Sequence, residues 1–200
     1  MYKTILTFFV LLLACSAFAA EPMTEAEKAK LIAHLERTGA TFEKSIAGLN
    51  EAQWNFKAAP ERWSAEQCSE HIVAAESFLR DMIAAGLKEP ASEEMLKGAR
   101  KDDVLEAMLM DRSKKFQAPE PLQPTGTKFA TPADAIAAFK AERQKTIELA
   151  QSSGDLRKYA AAHPAVGPLD GYSWFIFLSS HTGRHTLQIE EVKADANYPK

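Results

Sequence analysis

Gly171-Tyr172-Ser173-Trp174-Phe175-Ile176-Phe177-Leu178-Ser179-Ser180-His181-Thr182-Gly183-Arg184-His185-Thr186-Leu187-Gln188 reads as one long helix. Asp170 is the expected cap, and the periodicity carries on to about Ala194. Trp174, Phe177, Leu178, His181, His185, Gln188 and Val192 fall on one stripe. The stripe is apolar at both ends, so it should face a core and carry the two histidines inward. Their i, i+4 spacing puts two imidazoles on one face, one turn apart.

Working backward from that helix, four further segments have helical period and cap signals. Thr24-x-x-Glu27 opens a helix to about Leu49, with Leu31, Leu35, Phe42 and Ile46 in one stripe. Ser64-x-x-Gln67 opens a second, from Ala65 to about Ala85, on which Cys68, His71, Ala75, Phe78 and Met82 share a face. A short helix is expected from about Val104 to Phe116, with Asp103-x-x-Glu106 at its start. The fourth runs from Pro132 to about Gln151, capped by Thr131. Proline and glycine break the chain at 58–62, 119–126 and 154–168. No alternating pattern is long enough to predict a strand, and no internal repeat is present. Four long amphipathic helices and a short one predict an all-α, antiparallel four-helix bundle, with the long connections leaving the helix order open.

The first residues read differently. Lys3, the apolar run Ile5 to Ala14 and the Ala17-Phe18-Ala19 site have the form of a signal peptide over residues 1–20, leaving 21–200 as one domain. The run is too short to span a bilayer, and no later run is long enough. The expected location is periplasmic. Leu12-Leu13-Ala14-Cys15 also resembles a lipoprotein signal, which would anchor the chain through Cys15. The second cysteine, Cys68, then has no internal disulfide partner. Hydrophobic residues make up 46% and charged residues 26% of the 200 residues, as in ordinary globular domains. A net charge of −3 with scattered lysines argues against nucleic acid as a partner.

Of the five histidines, His71, His181 and His185 lie on inward stripes. A single core histidine is usually satisfied by a carbonyl or carboxylate. Three of them are harder to satisfy separately, since an unpaired buried nitrogen costs about 1–3 kcal/mol. One metal ion would satisfy a nitrogen on each ring, and both readings stay open at this level. Gln188, one turn past His185, is the best candidate to orient a ligand. Trp63 is a candidate pocket wall or helix-start packing residue. Cys68, one turn before His71, is a possible fourth ligand or a core thiol. Arg184 rotates away from the ligand stripe and suits an ion pair or an anion contact. Glu70, Glu76, Glu190 and Glu191 are the carboxylates near enough in sequence to be considered as general bases, with Glu70, Glu76 and Glu191 off the ligand face. His34 and His163 are expected at the surface.

Gly48-Leu49-Asn50-Glu51-Ala52-Gln53-Trp54-Asn55-Phe56, then Pro60-Glu61-Arg62-Trp63-Ser64 and Glu70-His71, closed by His181-x-x-Arg184-His185-x-x-Gln188, resemble the DinB-like (YfiT-like) superfamily over about Ala29 to Val192. The resemblance implies a four-helix bundle holding one divalent metal ion (zinc, nickel, iron or manganese) on His71, His181 and His185. It further implies a metal-dependent hydrolase or a thiol-dependent transferase acting on a small molecule. The leader departs from the typical member, and low-molecular-weight thiols are chiefly cytosolic, which weighs against thiol transfer. The alternative is a non-catalytic metal-binding or partner-binding module of the cell envelope. An apolar helix face could also serve a homodimer.

Overall fold

The computed structural model describes residues 22–200. The expected signal peptide, with Cys15 and the expected cleavage site, lies outside the described residues. Four long helices dominate: α1 (Glu25–Ile46), α3 (Ala65–Gly86), α6 (Pro132–Ser152) and α7 (Gly171–Lys193). Thr24, Ser64 and Thr131 each close a full capping box, and Asp170 accepts from the Ser173 amide. These caps satisfy amides that the first helical turn leaves without partners.

The helices form a four-membered ring. α1 packs on α7 and α6, and α3 packs on the same two. Long helices consecutive in the chain, α1 and α3 or α6 and α7, therefore stand across the bundle from each other. The end of α3 meets the start of α7, where the Leu87 side chain packs against Gly171. At the other end, Arg62 just before α3 pairs with Glu191 near the end of α7. α3 and α7 are thus antiparallel neighbours, which brings early α3 to late α7.

The core has two apolar clusters. One contains Leu31, Leu35, Leu79, Ile83, Leu105 and Leu178, and the other Phe42, Ile46, Ile72, Phe139 and Ile189. On all four helices a polar layer lies between them. Arg143 of α6 clamps Glu76 of α3 through two bonds of 2.8 Å. Its remaining donors go to the Leu35 carbonyl and Thr38 of α1 and to Thr182 of α7. All five N–H donors of the guanidinium are used. Thr146 also donates to Glu76. With Arg143 5% and Glu76 1% exposed, neither charge reaches water.

Several elements differ from the sequence expectation. Two five-residue helices were not foreseen: α2 (Glu51–Asn55), with an Asn50/Gln53 capping box, and α4 (Glu93–Lys97). The short helix α5 spans Asp102–Met110, not 104–116. Its expected cap is displaced because Asp102 accepts from Ser173 and Arg157. Its C-terminus comes early because Arg184 of α7 gathers the carbonyls of Leu109, Asp111 and Lys114, turning the chain out of the helix. A two-stranded hairpin, β1 (Ala160–His163) and β2 (Gly167–Asp170), replaces part of the expected loop. Its first strand is mostly alanine and carries no alternation to read. Pairing with β2 and a bond from the Trp174 indole to the Ala161 carbonyl define it.

The central clamp makes a prediction. Arg143→Ala strands the Glu76 carboxylate in the core and should cost about 3–5 kcal/mol. The expected fall in Tm is at least about 6 °C. The double variant Arg143→Met/Glu76→Met, which removes both charges, should recover most of that loss in the same thermal melt. A double variant no more stable than Arg143→Ala would show that the pair is not the source of the effect.

Candidate metal centre

His71 comes from the second turn of α3, His181 from the middle of α7 and His185 from its second half. The antiparallel packing brings their ligand atoms within 4.8 Å of one another. Ring centroids are 4.4 Å apart for His71 and His185, 4.5 Å for His181 and His185, and 5.0 Å for His71 and His181. His71 and His185 are buried, and His181 is partly open to a cavity.

The hydrogen bonds select the tautomers. His71 Nδ1 donates to the Leu122 carbonyl at 2.7 Å, so its Nε2 carries a lone pair. His185 Nδ1 donates to the Gln188 side-chain oxygen at 3.0 Å, which frees its Nε2 in the same way. The Nε2 atoms of His71 and His181 approach to 3.2 Å. Two nitrogens bound tetrahedrally at roughly 2.0–2.1 Å from one ion would lie about 3.3–3.4 Å apart. The donor set therefore fits a divalent metal: three neutral imidazoles converge, and each of two is oriented by a backbone or amide acceptor. No carboxylate or thiolate joins them among the described residues, so a coordinated ion would keep an open position.

Two irregular segments complete the site. The stretch that carries Leu122 is anchored by Glu70, which accepts from the amides of Thr125 and Gly126 and from the Thr125 hydroxyl. Gly126 has φ +81°, and a Cβ there would meet Gln67 at 3.2 Å, so this turn needs glycine. The stretch after α5 is held by Arg184, whose guanidinium also lies 5.0 Å from the Phe116 ring. Gly183, between the two α7 histidines, lets Met110 approach; a Cβ would lie 3.1 Å from its sulfur.

A cavity of about 890 Å³ opens onto the cluster. Trp63 forms a wall, with its ring 5.0 Å from His71 and 5.9 Å from His185. Gln188 lines it as well. Arg184 also lines it, but its bonds go to carbonyls rather than to the expected ion-pair partner. Cys68 lies in the second apolar cluster, outside the converging donors, and burial pushes its thiol well up from its usual range. The four carboxylates considered as bases are engaged elsewhere: Glu70 on the loop, Glu76 on Arg143, Glu190 on Lys193 and Glu191 on Arg112 and Arg62. Glu61, exposed in the turn before Trp63, is the carboxylate that lines the cavity, and sequence spacing did not single it out. Arg112, Lys115 and Gln123 were missed as well: the first two were expected on the helix to Phe116, which ends at Met110, and Gln123 sits on irregular chain with no period to read.

Neither remaining histidine is the surface residue expected. His163 packs on Phe177 at 4.3 Å and lines the cavity, because the hairpin folds it back over α7. His34 is buried by α5 and α7, between Ser179 at 2.6 Å and Glu106 at 3.0 Å. Ser179, His34 and Glu106 have triad-like distances, but Ser179 is fully buried and does not line the cavity at the histidine cluster, so the set is structural.

Burial holds all five histidines below their ordinary value near 6.5, with His181 and His185 lowered most. The folded chain keeps these rings neutral, whereas the unfolded chain protonates them as pH falls through about 6.5. The stability present above that pH should therefore be lost below it. Each histidine contributes a slope of up to about 1.4 kcal/mol per pH unit. Denaturant midpoints of metal-free protein between pH 7.5 and 5.5 should fall, and fall less steeply in His181→Gln. A flat profile would contradict neutral burial.

The model of the DinB superfamily matches residues 34–189. The uncharacterized protein YuaE of Bacillus subtilis (strain 168) is 24% identical over 153 residues, covering 74% of this chain and 88% of its own. The solved structure of YfiT from Bacillus subtilis is described as that of a probable metal-dependent hydrolase with an unusual four-helix bundle topology. It superposes with a TM-score of 0.63 at 15% identity, over 90% of this chain and 94% of that one. At that identity the likeness speaks to the fold alone. With the family match spanning most of its length, the chain belongs to the DinB superfamily.

Proposed function

We propose that this protein is an exported metal-dependent hydrolase acting on a small molecule, with one divalent ion on His71, His181 and His185. The observation that carries the reading is the convergence of three imidazole donors, without an anionic ligand, at a cavity of about 890 Å³. Neutral nitrogen donors suit zinc, nickel or iron better than manganese. When bound, such an ion supplies Lewis acidity and a lowered water pKa, near 7 for zinc.

The chain's own residues do the rest. The Leu122 carbonyl and Gln188 hold the protons of His71 and His185 on Nδ1, so both rings present Nε2. Trp63 and Phe177 flank the cluster and limit water access to it. Gln123, Glu61 and Lys115 line the same cavity and offer polar groups for orienting a substrate. Hydrolysis is favoured over thiol transfer by the leader of residues 1–20, which implies a compartment poor in low-molecular-weight thiols. The description of YfiT as a probable hydrolase points the same way at the level of the fold.

Elemental analysis of untagged protein should find about one divalent ion per chain, and none in the His71→Ala/His181→Ala/His185→Ala variant. Equal metal in both would sink the reading. Adding the preferred ion at about 100 times its Kd should stabilise the metal-free protein by about 2.7 kcal/mol, raising Tm by about 5–11 °C. Gln188→Ala should weaken metal affinity by about 10- to 100-fold. For location, intact mass of the protein from the envelope fraction should show cleavage next to Ala20. A chain retaining residues 1–20 there would contradict export.

A further inference from the structure

The two ends of the cavity differ in chemistry, and the antiparallel packing of α3 and α7 sets their order. Toward the end of α3, the lining is Ala75, Phe78, Leu79 and Met82, faced by Phe177 of α7 and Val166 of the hairpin turn. These side chains form an apolar arm. Its far side is closed where His163 folds onto Trp174 and Phe177. Toward the start of α3 the lining turns cationic, with Arg62, Arg112 and Lys115 and a single carboxylate, Glu61. Glu191 answers Arg62 and Arg112 together, while Lys115 forms no ion pair among the described residues. The three histidines lie between the arm and the cationic end. Phe78 and Phe116 remain 44% and 51% exposed at the mouth, large apolar surface that a bound ligand would cover.

We propose that the cavity takes an elongated acyl compound. Its hydrocarbon chain occupies the arm between Phe78, Met82 and Phe177, its carbonyl lies against the histidine cluster, and its anionic or strongly polar part faces Lys115. The position of the reacting bond rests on the metal-centre reading; the arm does not. The reaction is acyl hydrolysis. The oxygen of water bonds to the acyl carbon and the acyl–oxygen or acyl–nitrogen bond breaks. The leaving alcohol or amine takes one proton, and the released acid ionises at neutral pH.

Isothermal titration calorimetry with octanoate, acetate and octylammonium tests this without turnover, on protein whose metal content is measured in the same sample. Octanoate should bind zinc-loaded protein at least tenfold tighter than acetate, since each buried methylene adds about 0.8 kcal/mol. It should also bind at least tenfold tighter than octylammonium, which has the same chain and the opposite charge. Phe78→Glu, at a half-exposed position, should weaken octanoate at least tenfold with acetate affinity and zinc content unchanged. Met82→Glu should do the same from inside the arm. Equal affinity for octanoate and acetate, or octanoate affinity unmoved by both variants, would overturn the proposal while a measured zinc content left the metal centre standing. Chain-length selectivity in protein that takes up no zinc would support the arm and count against the metal-dependent hydrolase instead.

Discussion

The buried contact between Arg143 and Glu76 sets the register of this bundle. Apolar helix faces slide past each other with little preference, because methyl groups pack nearly as well one turn away. A guanidinium whose five donors all need partners does not tolerate such a slide. Arg143 reaches α1, α3 and α7 from α6, so one side chain ties the levels of all four long helices. Glu76 lies five residues after His71, and Thr182 is next to His181. The clamp that aligns α3 with α7 therefore also brings the ligand histidines to one level. A slip of one turn along the axis, about 5.4 Å, would carry His71 away from the α7 pair.

The cluster depends equally on chain outside the long helices. His71 is oriented by a carbonyl in the segment before α6, and the mouth is built from the segment after α5. Charged side chains of the ligand-bearing helices hold both segments: Glu70, next to His71, takes the amides of the first, and Arg184, next to His185, takes the carbonyls of the second, where Glu191 of the same helix also pairs with Arg112. Glu70 and Arg184 act on these loops through backbone groups rather than through an opposite charge. The two helices that supply the metal donors thus also position the walls of the cavity.

Much of this was legible in the sequence for definite reasons. Helix period and capping pairs are local, and Thr24/Glu27, Ser64/Gln67, Thr131/Asp134 and Asp170 mark the starts of all four long helices. The inward stripe of α7 identified His181 and His185 as core-facing, and the α3 stripe did so for His71. The order in which the helices pack could not be read, because nothing in an amphipathic stripe says which partner it meets. The hairpin escaped because Ala160 to His163 has no alternation and becomes a strand only through its partner. His34 and His163 were misplaced at the surface because α5 and the hairpin, which cover them, come from distant parts of the chain. Arg184 was misjudged because its partners are carbonyls, which leave no trace in residue type.

The sequence by itself determined the four long helices, their caps, the inward faces and the three histidines those faces carry, because each is set within one or two turns of chain. Only the tertiary structure decided that the three imidazoles meet, that Glu76 belongs to Arg143 rather than to the site, and that the cavity joins an apolar arm to a cationic mouth. Those features join α3 and α7, more than a hundred residues apart, to chain from between them. Their geometry follows from long-range packing and buried hydrogen bonds, which no local pattern encodes.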